Sequence, residues 1–271
     1  MGLTVNTNMA SMNSLNNLNR TNRSLAKTLG RISSGKRIES AADDAAGLAV
    51  AENLDAAQGS LMAAKRNTND GIAIIQTAEG ATSEVGNILK RMRELAVQSS
   101  SDTLATVERA YVQDEFAELT LEIDRIAAVT EFNGVSLGSG ATLDVQVGIF
   151  AAAENQITIT AGDLTSATLG LAGTSLSNAA DAKTALTTFD TAIDTVNGYR
   201  SDYGATQNRM ESAMRNLETY TQNLAGAESQ IRDADFAFES AELSKFQTMQ
   251  QAGTAILGQA NGINQGAVRL I

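Results

Sequence analysis

A mainly α-helical, elongated rod of long antiparallel, coiled-coil-like helices is what these 271 residues predict, with one small β-hairpin and paired terminal helical arms. Three observations carry that expectation. Apolar residues recur at alternating steps of three and four over most of the chain, which puts one apolar stripe along each helix. Proline is absent, as suits long uninterrupted helices, where an internal proline costs about 3 kcal/mol. Aromatic residues make up only 4% against 43% hydrophobic, a mixture that builds thin helix-on-helix seams more readily than a thick core.

Residues 1–33 predict a helix behind an Asn-rich start, with seven Asn between Asn6 and Asn22. Asn is a poor helix former, so this arm is expected to be disordered until partnered. Its stripe is Leu15, Leu18, Leu25, Leu29 and Ile32. Residues 34–44 form a polar break. From about Ala45 to Ser99, the positions Leu54, Ala57, Leu61, Ala64, Thr68, Gly71, Ile75, Ala78, Thr82, Val85, Leu89, Met92 and Ala96 keep an unbroken heptad seam. A helix of that length spans ~80 Å. A second helix is expected over 102–129, capped by Asp102 or Thr103 and ended by the turn Phe132-Asn133-Gly134.

The period then changes to two. Leu143, Val145, Val147 and Ile149 alternate with polar residues or Gly, and so do Ile157 and Ile159, around a short Ala-Ala-Ala-Glu-Asn link. This predicts a β-hairpin over 143–160. A loop rich in Gly, Ser and Thr follows from Ala161 to Ser177. A long helix returns from Asn178 to Ile231, with Phe189, Ile193, Val196, Tyr203, Met210, Met214, Leu217, Leu224 and Ile231 in one seam. Arg232-Asp233-Ala234-Asp235 is a second break. The last arm carries Phe246, Met249, Gly253, Ile256, Ala260, Ile263 and Ala267, and runs on to Leu270 and Ile271. The organisation expected is therefore 1–44, an N-terminal arm and break; 45–177, the first part of a rod domain including the hairpin; 178–231, its second part; and 232–271, the C-terminal arm. Antiparallel pairing brings the arms together, and their apolar stripes then serve to bury each other or the arms of other copies.

Composition excludes much else. Cys and His are both absent, which removes thiolate nucleophiles, imidazole bases and most zinc or haem ligation. No constellation of nucleophile, base and orienter is visible, so no catalysis and no cofactor are expected. A net charge of −11 argues against nucleic acid as a partner. Residues 1–37 do hold six Lys/Arg and no acid, yet they lack aromatics for base stacking. No apolar run is long enough to span a membrane, and no basic-then-apolar signal segment opens the chain. Gly30 to Lys36 matches most of a phosphate-binding loop, but Arg37 stands where Ser or Thr is needed and a helix, not a strand, precedes it. Asp43-Asp44 and Asp233/Asp235 suit helix starts, where carboxylates satisfy free N–H groups.

Taken in order, certain segments resemble bacterial flagellin over essentially the whole length. They are Leu29–Ile38, Asp43–Leu48, Arg93–Ser99, Glu122–Ile126 and Phe132-Asn133-Gly134, then Gln207–Glu211, Ile231–Asp235, Gln250–Gly253 and Gln259-Ala260-Asn261. With only Ala161–Ser177 where the family inserts variable outer domains, the chain resembles a short form. The family's Pro-containing turn and basic last residue are replaced here by Gly262 to Ile271.

The resemblance implies a structural subunit that polymerises with itself into the extracellular flagellar filament for motility. Its arms would form an inner tube, through Leu15, Leu18, Leu25, Leu29, Ile32, Phe246, Met249, Ile256, Ile263, Leu270 and Ile271. It also implies export by the flagellar type III apparatus, with a chaperone on Phe236–Ile271, and contact with filament cap and hook-junction proteins. A surface like that read by a host Toll-like receptor would lie at Arg91, Leu95 and Glu115. The hairpin residues Val145, Val147, Ile157 and Ile159 would set filament curvature. The alternative is a hook–filament junction protein, similar to flagellin at both ends.

Overall fold

Five helices account for most of the structure, a computed structural model that describes residues 7–268, with side chains up to residue 262. They are α1 (Met9–Ser34), α2 (Ala45–Ser99), α3 (Thr106–Val129), α4 (Ala179–Arg232) and α5 (Phe236–Val268). Two small antiparallel ladders lie between α3 and α4. One pairs β1 (Glu131–Phe132) with β2 (Val135–Ser136), and the other pairs β3 (Thr142–Gln146) with β4 (Gln156–Thr160). The described residues divide into two compact units. One runs from Ala57 to Thr221, and the other holds the chain before and after it.

Within the Ala57–Thr221 unit, every seam position of α2 from Leu61 to Ala96 is buried. Helix α4 lies antiparallel beside it. The ion pairs Lys65–Glu218, Glu79–Arg200 and Arg93–Asp190 show this, since one number falls as the other rises. Helix α3 adds Val112, Phe116, Ile123 and Ala127, and the Phe116 and Phe189 rings meet edge to face at 5.8 Å between centroids. The segment expected to be a polar loop completes this core: Leu164, Leu169, Leu171 and Leu176 are all buried in it. Their scattered spacing matches neither helix nor strand, so no periodicity announced them.

Helix α3 starts later than expected. Asp102 and Thr103 do not cap it. The N-cap is Ala105, whose N–H donates to the Glu108 carboxylate at 3.0 Å. The preceding turn is held instead by Arg109, which donates to the Ser99 and Ser101 carbonyls. After α3 the Asn133-Gly134 turn, with φ of +50° and +80°, closes a first tight hairpin that the sequence showed only as a turn.

In the second hairpin Val145 faces Ile157 and Leu143 faces Ile159. Strand β3 ends at Gln146, so Val147 and Ile149 belong to the connection, which closes through a single 3-10 turn at Ala153–Asn155. The inward face rests on Ile75, Ala78, Leu137, Tyr203 and Met210. Asn178 caps α4 by accepting from the Asp181 N–H at 2.8 Å.

In the other unit α1 and α5 pack along each other. Helix α1 ends on Gly35 at φ +69°, the left-handed cap that glycine adopts without a Cβ penalty. The breaks that follow α1 and α4 are joined. The Arg37 N–H donates to the Arg232 carbonyl at 2.6 Å, and the Ala234 N–H to the Gly35 carbonyl at 2.9 Å. Ile38, in the break read as polar, is buried. Asp44 accepts from the Gly47 N–H and Asp235 from those of Ala237 and Phe238, so both cap helices as expected. Asp43 instead accepts from Ser40 and pairs with Lys27.

Candidate assembly surfaces on the terminal arms

The arm helices meet along a heptad seam with a mixed lining. On α1 it runs through Ser14, Leu18, Thr21, Leu25, Thr28 and Ile32. On α5 it runs through Glu239, Leu243, Phe246, Gln250, Gly253, Leu257 and Ala260. Each of these is buried or half-buried. The helices are antiparallel: Asn8 donates to the Ala260 carbonyl, Gln250 to Asn22 and Arg31 to Glu239. A Cβ on Gly253 would stand 3.2 Å from Leu18 Cδ1, which places Leu18 directly against α5. Arg31 and Glu239 form a largely buried pair at 3.0 Å, while the buried Nε of Arg31 has no hydrogen-bond partner.

The stripes read from sequence straddle this seam. Leu18, Leu25, Ile32 and Phe246 lie in it. Leu15 (46% exposed), Leu29 (48%), Met249 (47%) and Ile256 (58%) do not. The expected stripe therefore mixed two helix faces one residue apart. Polar Ser, Thr and Gln share the internal seam with Leu18, Leu25, Ile32 and Phe246, while Leu15, Leu29, Met249 and Ile256 turn outward. Phe236 and Phe238, missed as surface residues, are also exposed at the start of α5. The side chain of Ile263, together with Leu270 and Ile271, lies outside the described residues.

The predicted receptor-like surface is only partly assembled. Arg91 donates to Glu115 at 2.9 Å and to Glu94 at 3.2 Å, and these acids raise its pKa, Glu115 most. Leu95 does not join them. It is 1% exposed, because its position on α2 faces the core with Met92 and Ala96. Beside Arg91 and Glu115 lies an open cleft of about 520 Å³, with Tyr111 on its wall.

The hairpin residues also face inward. Val145, Ile157 and Ile159 are buried and Val147 packs against the same cluster. They anchor the hairpin, and its outward face is polar, with Asp144 accepting from the Thr158 hydroxyl at 2.6 Å. Among the described residues no group of three or more acids could hold a metal ion, and no helix is long and apolar enough to cross a membrane.

Comparison with known proteins places these surfaces in context. Residues 5–142 match the bacterial flagellin N-terminal helical region, and residues 186–271 match the C-terminal helical region. A flagellin of Halalkalibacterium halodurans is 40% identical over 271 residues, covering 99% of this chain and 100% of that one. A flagellar filament core protein of Brachyspira hyodysenteriae is 37% identical over 284 residues, with the same coverage. The crystal structure of Bacillus cereus flagellin is similar at a TM-score of 0.50 and 30% identity, over 60% of this chain and 94% of that one. A flagellar hook-associated protein from Vibrio parahaemolyticus reaches a TM-score of 0.60 at 15% identity, over 70% of this chain and 100% of that one, a likeness of fold alone.

Proposed function

This chain belongs to the bacterial flagellin family and is a structural, non-enzymatic subunit of a flagellar filament, and we propose that its terminal arms are the surfaces through which copies join. The observation that carries this reading is the outward set of Leu15, Leu29, Met249 and Ile256 on helices that already have each other as partners. Large apolar residues exposed on one short pair of helices mark an interaction site, and burying them releases roughly 25 cal/mol per Å². On this reading residues 1–44 and 232–271 act as one assembly domain and 45–177 with 178–231 as another. In sequence, Ile263 and Leu270 continue the seven-residue spacing of Met249 and Ile256, and Ile271 follows them.

The finer partners follow from the same surfaces. An export chaperone shields the C-terminal arm, from Phe236 on, whose Phe236 and Phe238 would otherwise be exposed before assembly. Passage through the flagellar type III apparatus and folding under a filament cap complete the route. The pair of Arg91 and Glu115, without Leu95, is the surface offered to a host Toll-like receptor. The hairpin contributes to filament curvature through its polar face and its edges. The junction reading is not favoured, because filament subunits are the 34–40% identical relatives over full length.

Seeded polymerisation tests the role of the arms. Purified chain with short filament seeds and ammonium sulfate, which strengthens apolar burial, should grow long tubes in negative stain. Ile256→Asp should leave helix content unchanged and abolish growth. Normal tubes from that variant would overturn the reading.

A further inference from the structure

Sulfur in this chain is confined to methionine: there are eight Met and no Cys. The fold sorts the described methionines by access. Met92 and Met210 are fully buried in the Ala57–Thr221 unit, and Met214 is partly buried. Met9, Met12, Met62 and Met249 are exposed, and three of these four lie on the arm helices, Met9 and Met12 at the start of α1 and Met249 near the middle of α5. None of the three belongs to the seam between α1 and α5. Each continues an exposed apolar row instead. Met9 and Met12 precede Leu15 by steps of three, Met249 precedes Ile256 by seven, and such steps return to nearly the same face of a helix.

An exposed thioether is open to attack on peroxide, and a buried one is not. The sulfur lone pair attacks one peroxide oxygen, so the S–O bond forms as the O–O bond breaks. The proton left on the transferred oxygen passes to the departing hydroxide, which leaves as water. Sulfur is oxidised by two electrons and peroxide is reduced. The product, methionine sulfoxide, is polar where the thioether was apolar. With no thiol in the chain, neither a sulfenic acid nor a disulfide takes up the oxidant first.

We propose that Met9, Met12 and Met249 are oxidation sites through which hydrogen peroxide blocks the joining of copies, and that methionine sulfoxide reductase lifts the block. In the reverse step two thiols become a disulfide, the sulfoxide oxygen leaves as water, and the thioether returns. The inference rests on the assembly role proposed above for the arms and adds a chemical control of it. Burying a sulfoxide without a hydrogen-bond partner costs free energy that burying a thioether does not. Because these side chains lie outside both the arm seam and the buried core, their oxidation leaves the fold of a single copy intact.

Peroxide treatment of the monomer tests this. The oxidant is removed with catalase, and sulfoxides are located by peptide mass spectrometry before seeding. Sulfoxide is expected at Met9, Met12, Met62 and Met249 and not at Met92 or Met210, with helix content unchanged by circular dichroism. Growth on seeds should be lost, and should return after dithiothreitol and reductases for both sulfoxide epimers. Leucine, which keeps the volume of methionine, separates the sites. The triple variant Met9→Leu, Met12→Leu and Met249→Leu should grow normally after peroxide, whereas Met62→Leu should stay sensitive. Absence of sulfoxide at the three arm methionines, or normal growth of the oxidised chain, would overturn the inference. So would resistance of Met62→Leu, or a triple variant as sensitive as the unsubstituted chain. If the triple variant does not fold, the reductase arm decides: growth that stays lost once the sulfoxides are gone overturns the inference. All of these outcomes leave the assembly role of the arms standing. Failure of the untreated chain to form tubes would bring down that role, and this inference with it.

Discussion

At the scale of single residues, Tyr203 shows how polar groups are spent inside this structure. Its hydroxyl accepts from the Gly162 N–H at 2.7 Å in a buried position, and burial raises its pKa. Tyr203→Phe leaves that N–H without a partner, so a loss of about 1–3 kcal/mol is expected, readable as a lower urea midpoint. Gly138 is fixed by contact instead: a Cβ there would sit 2.2 Å from the Ala127 carbonyl oxygen. Asp43 gives a pH dependence. Its hydrogen bond with Lys27, aided by Ser40, lowers its pKa from 3.8 to about 2. A folded value below the unfolded one stabilises fully above the unfolded value, and the gain is lost as pH falls through the folded one. Protection of the amides of residues 35–44, measured relative to the intrinsic exchange rate at each pH, should therefore fall between pH ~4 and ~2, and in Asp43→Asn that acid-dependent step should vanish. Tyr203's partner was not legible in the sequence, because Gly162 lies far from it in the chain, and Ile38 stood alone in a polar stretch with no periodicity to mark it as buried.

At the scale of elements, helices were read well and their rotation less well. The bounds of α2 and its buried seam were plain, since Ile75, Val85, Leu89 and Met92 all turn one face of the helix inward. On α1 and α5 the outward leucines, Met249 and Ile256 carried as strong a signal as the inward residues, so periodicity alone merged two faces. Thr28, Gln250 and Glu239 gave no apolar cue to the inner one. The hairpin was legible from its alternation, but its side was not: Val145, Ile157 and Ile159 bury themselves against Tyr203 and Met210. Val147→Asp puts a carboxylate against that cluster and should cost about 1–3 kcal/mol. Faster proteolysis in the 142–160 segment would register it, and electron microscopy should show altered tube curvature if the hairpin positions neighbours.

At the scale of the whole molecule, composition decided the class before any element was placed. No proline, no cysteine and few aromatics left long helices with small-residue seams as the workable solution. A charge of −11 on every copy also opposes association, and salt screens that repulsion. Growth on seeds should therefore speed up from low salt to about 0.15 M sodium chloride, as turbidity would show, whereas an assembly held mainly by ion pairs would slow. The joined breaks carry a mechanical meaning as well. Gly35 to Arg37 and Arg232 to Ala234 are tied by two backbone hydrogen bonds, with the Arg37 guanidinium on the Ile231 carbonyl as a third. A pull on either arm is thus shared between two strands of chain at the same level, in place of straightening one connection alone. Opening either break therefore means breaking hydrogen bonds to the other, so the two breaks yield together.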